Sequence, residues 1–140
     1  MAALTTDTTR RYKDDGLGPQ SIPVAADAVI FKGAIVAVDA DGYLVAASDT
    51  AGLKVAGIAC EAFDNTGGAD GDGFVVVQQG RVKVNTTGAN AIVQADLYTN
   101  AVILDDDTVV QAAGATNDIV AGKVVEVESD GVWVNFAGAF

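Results

Sequence analysis

Between Ala34 and Cys60 the chain reads AIVAVDADGYLVAASDTAGLKVAGIAC, three short apolar runs parted by Asp39-Ala40-Asp41-Gly42 and Ser48-Asp49-Thr50-Ala51-Gly52. Each run has the length of a β-strand, and each break carries the turn chemistry of a reversal, Asp-Gly above all. The pattern predicts a three-stranded meander, and the rest of the chain repeats its grammar. Upstream, Val29–Lys32 leads in through Gly33, a bend or bulge. Leu53–Phe63 is apolar on both faces beyond Lys54, which predicts a central strand. Asp64–Gly73, DNTGGADGDG, is a loop. Phe74–Thr87 is the longest strand pattern: Val82 and Val84 share one face, Arg81, Lys83 and Asn85 the other, and Gly80 bends it.

Ala91–Leu97 is the one place for a helical turn, with Thr87 or Asn90 as cap. Tyr98–Leu104, Thr108–Ala112, Ile119–Glu128 and Val132–Ala137 complete the strands. Ser129-Asp130-Gly131 joins the last two as a hairpin, whose first strand sets Val125 and Val127 against Glu126 and Glu128. In its second strand Val132, Val134 and Phe136 form an apolar face, which leaves Trp133 opposite, beside Asn135. A tryptophan there is either covered by the N-terminal arm or a contact residue. About eight or nine short strands, with turn signals about every ten residues, predict an all-β fold. The expectation is a small β-barrel or sandwich with at most one short helix.

Residues 1–27 lack any sustained period and hold both prolines, Pro19 and Pro23, near Gly16 and Gly18. They are expected to form an extended N-terminal arm, flexible until docked, ahead of a domain over 28–140. Leu4, Tyr12, Leu17 and Ile22 are its spaced anchors. Such a segment is either a disordered tail or a docking arm that adds a strand to a sheet edge.

Composition narrows the function. The apolar half of the chain is mostly Ala and Val, and aromatics are 6%, which suits short, tightly turned strands. No apolar run approaches the roughly 20 residues of a membrane-spanning helix, and no secretory leader is expected at the N-terminus. The net charge is −11. Arg10, Arg11 and Lys13 balance Asp7, Asp14 and Asp15, so the excess lies beyond residue 15. Such a body is repelled by phosphate backbones, so neither nucleic acid nor membrane is expected as a partner. Cys60 is the single cysteine. It cannot form an intramolecular disulfide, and its apolar run predicts a buried thiol.

Histidine is absent, which removes Ser-His-Asp and Cys-His machinery and the His-bearing zinc sites. The chain has no phosphate-cradling loop with its lysine. Asp49-Thr50-Ala51-Gly52 resembles the turn of homodimeric aspartic proteases with Ala and Gly exchanged, and the exchange breaks that turn. Asp64, Asn65, Asp70 and Asp72 offer hard oxygen ligands in one loop, a calcium candidate set against a solvated acidic loop. No catalytic residue and no cofactor is expected.

Ala34–Asp39, Asp41–Ala59, the Asp64–Gly71 loop and the ending Ala121–Val127 to Asp130–Val134 together resemble the capsid cement, or head decoration, proteins of tailed phages, the lambda-like group. The resemblance spans residues 28–136 by order and spacing. It implies a non-enzymatic β-fold made in the bacterial host cytoplasm. It further implies a homotrimer on the outer face of the capsid, with its N-terminal arm on the major capsid protein. Leu4, Tyr12, Leu17, Ile22 and Trp133 are then the candidate capsid and oligomer contacts. The alternative is a β-sandwich module of a fibre or surface protein that binds calcium or sugar.

Overall fold

The computed structural model describes Thr6 and residues 19–136. The chain is all-β. Its strands are β1 (Gln20–Pro23), β2 (Val29–Ile30), β3 (Ile35–Val38), β4 (Leu44–Ala46), β5 (Lys54–Ala59), β6 (Phe63–Asp64), β7 (Phe74–Gln78), β8 (Arg81–Val84), β9 (Asn100–Ile103), β10 (Val109–Val110), β11 (Val120–Glu128) and β12 (Gly131–Asn135). Helical structure among the described residues is confined to two 3-10 turns, Gln94–Asp96 and Ala112–Gly114. The first follows Val93, not the expected Thr87 or Asn90. Asp96 closes it by accepting the Val93 N–H, while the Thr86 hydroxyl accepts the N–H of Ile92.

Two five-stranded antiparallel sheets carry the fold, ordered β1-β7-β5-β3-β4 and β10-β9-β11-β12-β8. β5 is the middle strand of its sheet, as its two apolar faces predict. The first sheet rolls up, because a parallel bridge between Val24 and Leu44 ties the chain just beyond β1 to the opposite edge strand. A second parallel bridge, Asn85 to Thr108, rolls the other sheet in the same way. A small pair, β2 with β6, is added to the first unit.

The two rolled sheets are the same unit twice. Numbered within each unit, the strand order is first, fifth, fourth, second, third in both. The fourth strand carries the same bulge at the same place. Val36 and Ala37 pair with Gly57 and Val55, leaving Ala56 extra; Ala101 and Val102 pair with Gly122 and Val120, leaving Ala121 extra. The sequence Val-Ala-Gly stands at both bulges. The entry to the second strand also matches: Gly33 N–H donates to Ala59 O and Ala59 N–H to Ala34 O, while Tyr98 N–H donates to Val124 O and Val124 N–H to Thr99 O. From Gly33/Tyr98 to Ala59/Val124 the correspondence holds without an insertion.

The cores follow that correspondence. Val36, Leu44, Ala59, Val75 and Val77 fill the first unit, and their counterparts Ala101, Val109, Val124, Val132 and Val134 fill the second. β3 is buried on both sides: its other face, Ile35 and Ala37, joins the core of the second unit together with Val55. The units are further locked by the Ile35 N–H, which donates to Asp106 O at 2.8 Å. Burial, then the charges of Asp105 and Asp107, push the Asp106 carboxyl above the usual carboxylate range.

Three sequence expectations are corrected. Phe74–Thr87 is not one bent strand: the chain leaves the first sheet after Gln78 and enters the second at Arg81, crossing at Gly80. Residues 19–27 belong to the body, not to an arm. β1 pairs with β7 along its length, and Val24 and Ala25 are buried. Pro23 is tolerated because β1 has a neighbour on one side only, where a missing N–H breaks no ladder. Cys60 is exposed, because the β5 alternation buries Ala59 and turns the next residue outward.

A Cβ added at Gly57 would stand 2.5 Å from Gln78 O, and one at Gly122 would stand 2.0 Å from Asn135 O. Gly57→Ala and Gly122→Ala should therefore each destabilise by about 3 kcal/mol or more. At Gly42 the space is open and only the positive φ opposes a side chain, so Gly42→Ala should cost about 1–2 kcal/mol. Denaturant unfolding of the three variants checks the order.

Candidate functional site

Trp133 stands where the hairpin alternation puts it. Val132, Val134 and Phe136 are fully buried, so the residue between the two valines faces outward from the second sheet. Across the ladders it lies opposite Glu126 on β11 and Lys83 on β8. The ring is half-buried. Its Nε1–H donates to Glu128 Oε1 at 2.5 Å. Lys83 Nζ lies 2.6 Å from Asp130 and 3.4 Å from Glu128. The hydrogen bond between them raises the Lys83 ammonium pKa and lowers that of the Asp130 carboxyl.

Exposed ion pairs of this kind contribute about 0–1 kcal/mol, so the cluster orients the ring more than it stabilises the fold. With its one N–H already bonded, the half-exposed indole has no hydrogen bond left to offer and stands between Glu126 and Lys83, its cross-strand neighbours. Such a surface can pack against another protein.

Ile22 is not a free anchor. It lies on β1 opposite Val75 and packs against the first unit's core. Leu4, Tyr12 and Leu17 lie outside the described residues.

The acidic loop is bound up in its own scaffold. Asp64 accepts the Thr66 N–H and hydroxyl, which lowers its pKa. Asp70 accepts the Ala26 N–H, Asp72 the Ala69 N–H, and Asp27 the Gly67 N–H. Asn65 is buried and donates to Ala25 O and Ala69 O. These bonds fasten the loop to the segment after β1. No group of three or more metal-capable side chains converges among the described residues.

Asp49 likewise works as a staple between units. Its carboxylate accepts the N–H groups of Thr116 and Asn117 at 2.8 and 2.9 Å. Those bonds hold its pKa below the usual 3.8.

Six exposed large apolar side chains escaped the sequence reading, Val29 and Leu104 among them and four others more exposed still. Phe31 is 66% exposed and Phe74 57%, both in the first unit; Val93 is 50% and Tyr98 68%, both in the second. Tyr98 also has φ +66°. For a bulky L-residue that conformation costs about 1–2 kcal/mol. The matching residue of the first unit is Gly33, φ +87°, for which it costs little. Only alignment on the repeated Val-Ala-Gly exposes that contrast.

Comparison of the chain with family models, with curated proteins and with solved structures returned no match.

Because the Asp49 pKa is depressed on folding, its contribution is fully present above 3.8 and is lost as pH falls through the lower folded value. Asp49→Ala should lower the unfolding temperature by a few degrees at neutral pH. The gap to wild type should narrow on acidification to about pH 2. Thermal melts of both proteins across that range test this; a constant gap would exclude the staple.

Proposed function

We propose that this chain is a non-enzymatic structural protein of a phage virion. In this reading it binds the outer surface of the assembled capsid as a cement, or decoration, protein. It acts as a homotrimer whose N-terminal segment contacts the major capsid protein. The observation that carries the reading is the division between interior and surface. Both barrels are packed mainly with aliphatic side chains, with Phe136 in the second, and every charged group of the described residues is outside the core. Among the described aromatic side chains, Phe31, Phe74 and Tyr98 are exposed and Tyr43 and Trp133 half-buried, outside both cores. Such a body presents surfaces to other proteins.

The residues that carry the resemblance to decoration proteins are scaffold: Ala34–Ala59 makes β3, β4 and β5, and Ala121–Val134 most of the β11–β12 hairpin. The acidic excess suits an outer face that never meets DNA. Each subunit contact can then be weak, because trimerisation makes the contacts multivalent. Binding only the assembled lattice stabilises that lattice by mass action.

Removing residues 1–18 leaves β1 whole. The truncated protein is expected to keep its unfolding temperature and to lose most of its occupancy on expanded heads in co-sedimentation. Undiminished occupancy would refute the role of the N-terminal segment. Trp133→Ala should weaken occupancy about tenfold or more, the usual effect of losing an aromatic anchor. A rise in unfolding temperature on adding calcium would instead favour a surface-protein module.

A further inference from the structure

The two units diverge on the outward face of the second sheet. Strand pairing lays Arg81, Asn135, Lys123 and Asn100 side by side across β8, β12, β11 and β9. The next row toward the β11–β12 turn holds Lys83, Trp133 and Glu126, and Tyr98 stands two residues before Asn100. The matching positions of the first unit hold Ile58 for Lys123, Ile35 for Asn100, Val76 for Trp133, Ser21 for Lys83 and Gly33 for Tyr98. Ile35 and Ile58 pack against the second unit's core, whereas Asn100 and Lys123 are exposed.

Exposure accounts for a polar residue at these positions but not for a cation. Of the eight basic side chains in the sequence, Arg10, Arg11 and Lys13 lie in the N-terminal segment, and three of the others stand on this one face. Lys83 is engaged by Asp130 and Glu128. Arg81 and Lys123 make no ion pair among the described residues, and Lys123 donates to the neutral Asn100. Strand spacing puts the two cations about 10 Å apart.

The carboxylates of the face lie toward its other end. Glu126 stands in the second row; Glu128, Asp130 and Asp107, which is bonded to Asn85, lie beyond it. Asp96, on the flank past Tyr98, is turned to the Val93 N–H and to Gln111. Charge therefore runs from positive to negative along the strands, over about 14 Å. The complement is a surface that sets carboxylates against Arg81 and Lys123 and a cation against Glu126. An inverted second copy would also match it, but a face that pairs with itself closes a dimer and builds no trimer.

We infer that this face meets the major capsid protein, whose carboxylates seat on Arg81 and Lys123. The inference rests on the capsid reading for the identity of the partner. It is tested by co-sedimentation of the full chain with expanded heads at low and at high salt. Arg81→Glu/Lys123→Glu is expected to lose about tenfold or more in affinity, together with most of the wild type's salt dependence. Lys32→Glu/Lys54→Glu makes the same change in net charge at two exposed lysines elsewhere, and is expected to bind heads as wild type does. Melting temperatures of both variants should stay close to the wild type; should the charge reversal fail to fold, Arg81→Gln/Lys123→Gln carries the same test.

Undiminished affinity in the Arg81/Lys123 variant, or an equal loss in the Lys32/Lys54 variant, would overturn the contact and leave the capsid reading standing. Heads that never bind the wild type would overturn both. A wild-type oligomer that dissociates only in the Arg81/Lys123 variant, seen by sedimentation equilibrium, would assign the face to a second copy and overturn the capsid contact.

Discussion

At Gly57 and at Gly122 the fourth strand of each unit runs so close to the fifth that no side chain fits between the backbones. Each close approach sits at a one-residue bulge. A bulge adds bend and twist to a strand, and here it bends the strand at the centre of each five-stranded sheet. That bend brings distant edges near enough for single parallel bridges, Val24 to Leu44 and Asn85 to Thr108, to close them. Closure limits the exposed strand edge and creates two interiors filled mainly by valine, alanine, leucine and isoleucine, with Phe136 fully buried in the second.

The units then lean on one another unequally. The outward face of β3 and β5 in the first unit is apolar at Ile35, Ala37, Val55 and Ile58 and is absorbed into the second unit's core. The matching face of the second unit has Asn100 and Lys123 exposed, bonded to each other. The duplicated pair is therefore finished on one side by polar residues, much as the terminal repeats of solenoid proteins are. Asp49 and the Ile35–Asp106 bond fix the mutual angle.

Much of this was legible in the sequence, and the illegible parts have identifiable causes. Hairpins declared themselves through Asp-Gly and Ser-Asp-Gly, and the inward faces through Val132, Val134 and Phe136. Phe74–Thr87 misled because alternation continues through the crossing: Val75 and Val77 face one core, Val82 and Val84 the other, and periodicity cannot tell two sheets apart. Residues 19–27 read as an arm because Pro19 and Pro23 lower strand propensity, yet an edge strand has no use for the N–H that proline lacks. The duplication was written only in Val55-Ala56-Gly57 and Val120-Ala121-Gly122, too short to stand out without the pairing registers. Of the contact candidates, Trp133 could be found by strand parity alone. Tyr98 could not, since no residue pattern around it marks a left-handed φ.

Duplication gives each surface residue an internal control. Where two counterparts share a job in the fold they share a character: Leu44 with Val109, Val75 with Val132, Val77 with Val134. Outside the barrels the pairs diverge, Val76 against Trp133, Ser21 against Lys83, Gly33 against Tyr98. The scaffold tolerates the first member of each pair, so the second is not demanded by folding. Trp133 is held by a bonded ring nitrogen beside an ion pair, and Tyr98 sits in a conformation that costs about 1–2 kcal/mol. A stability of about 5–15 kcal/mol for a domain leaves little room for such costs without a return. In the proposed reading that return comes from contacts made outside the barrels, whose interiors are already filled by aliphatic side chains and Phe136.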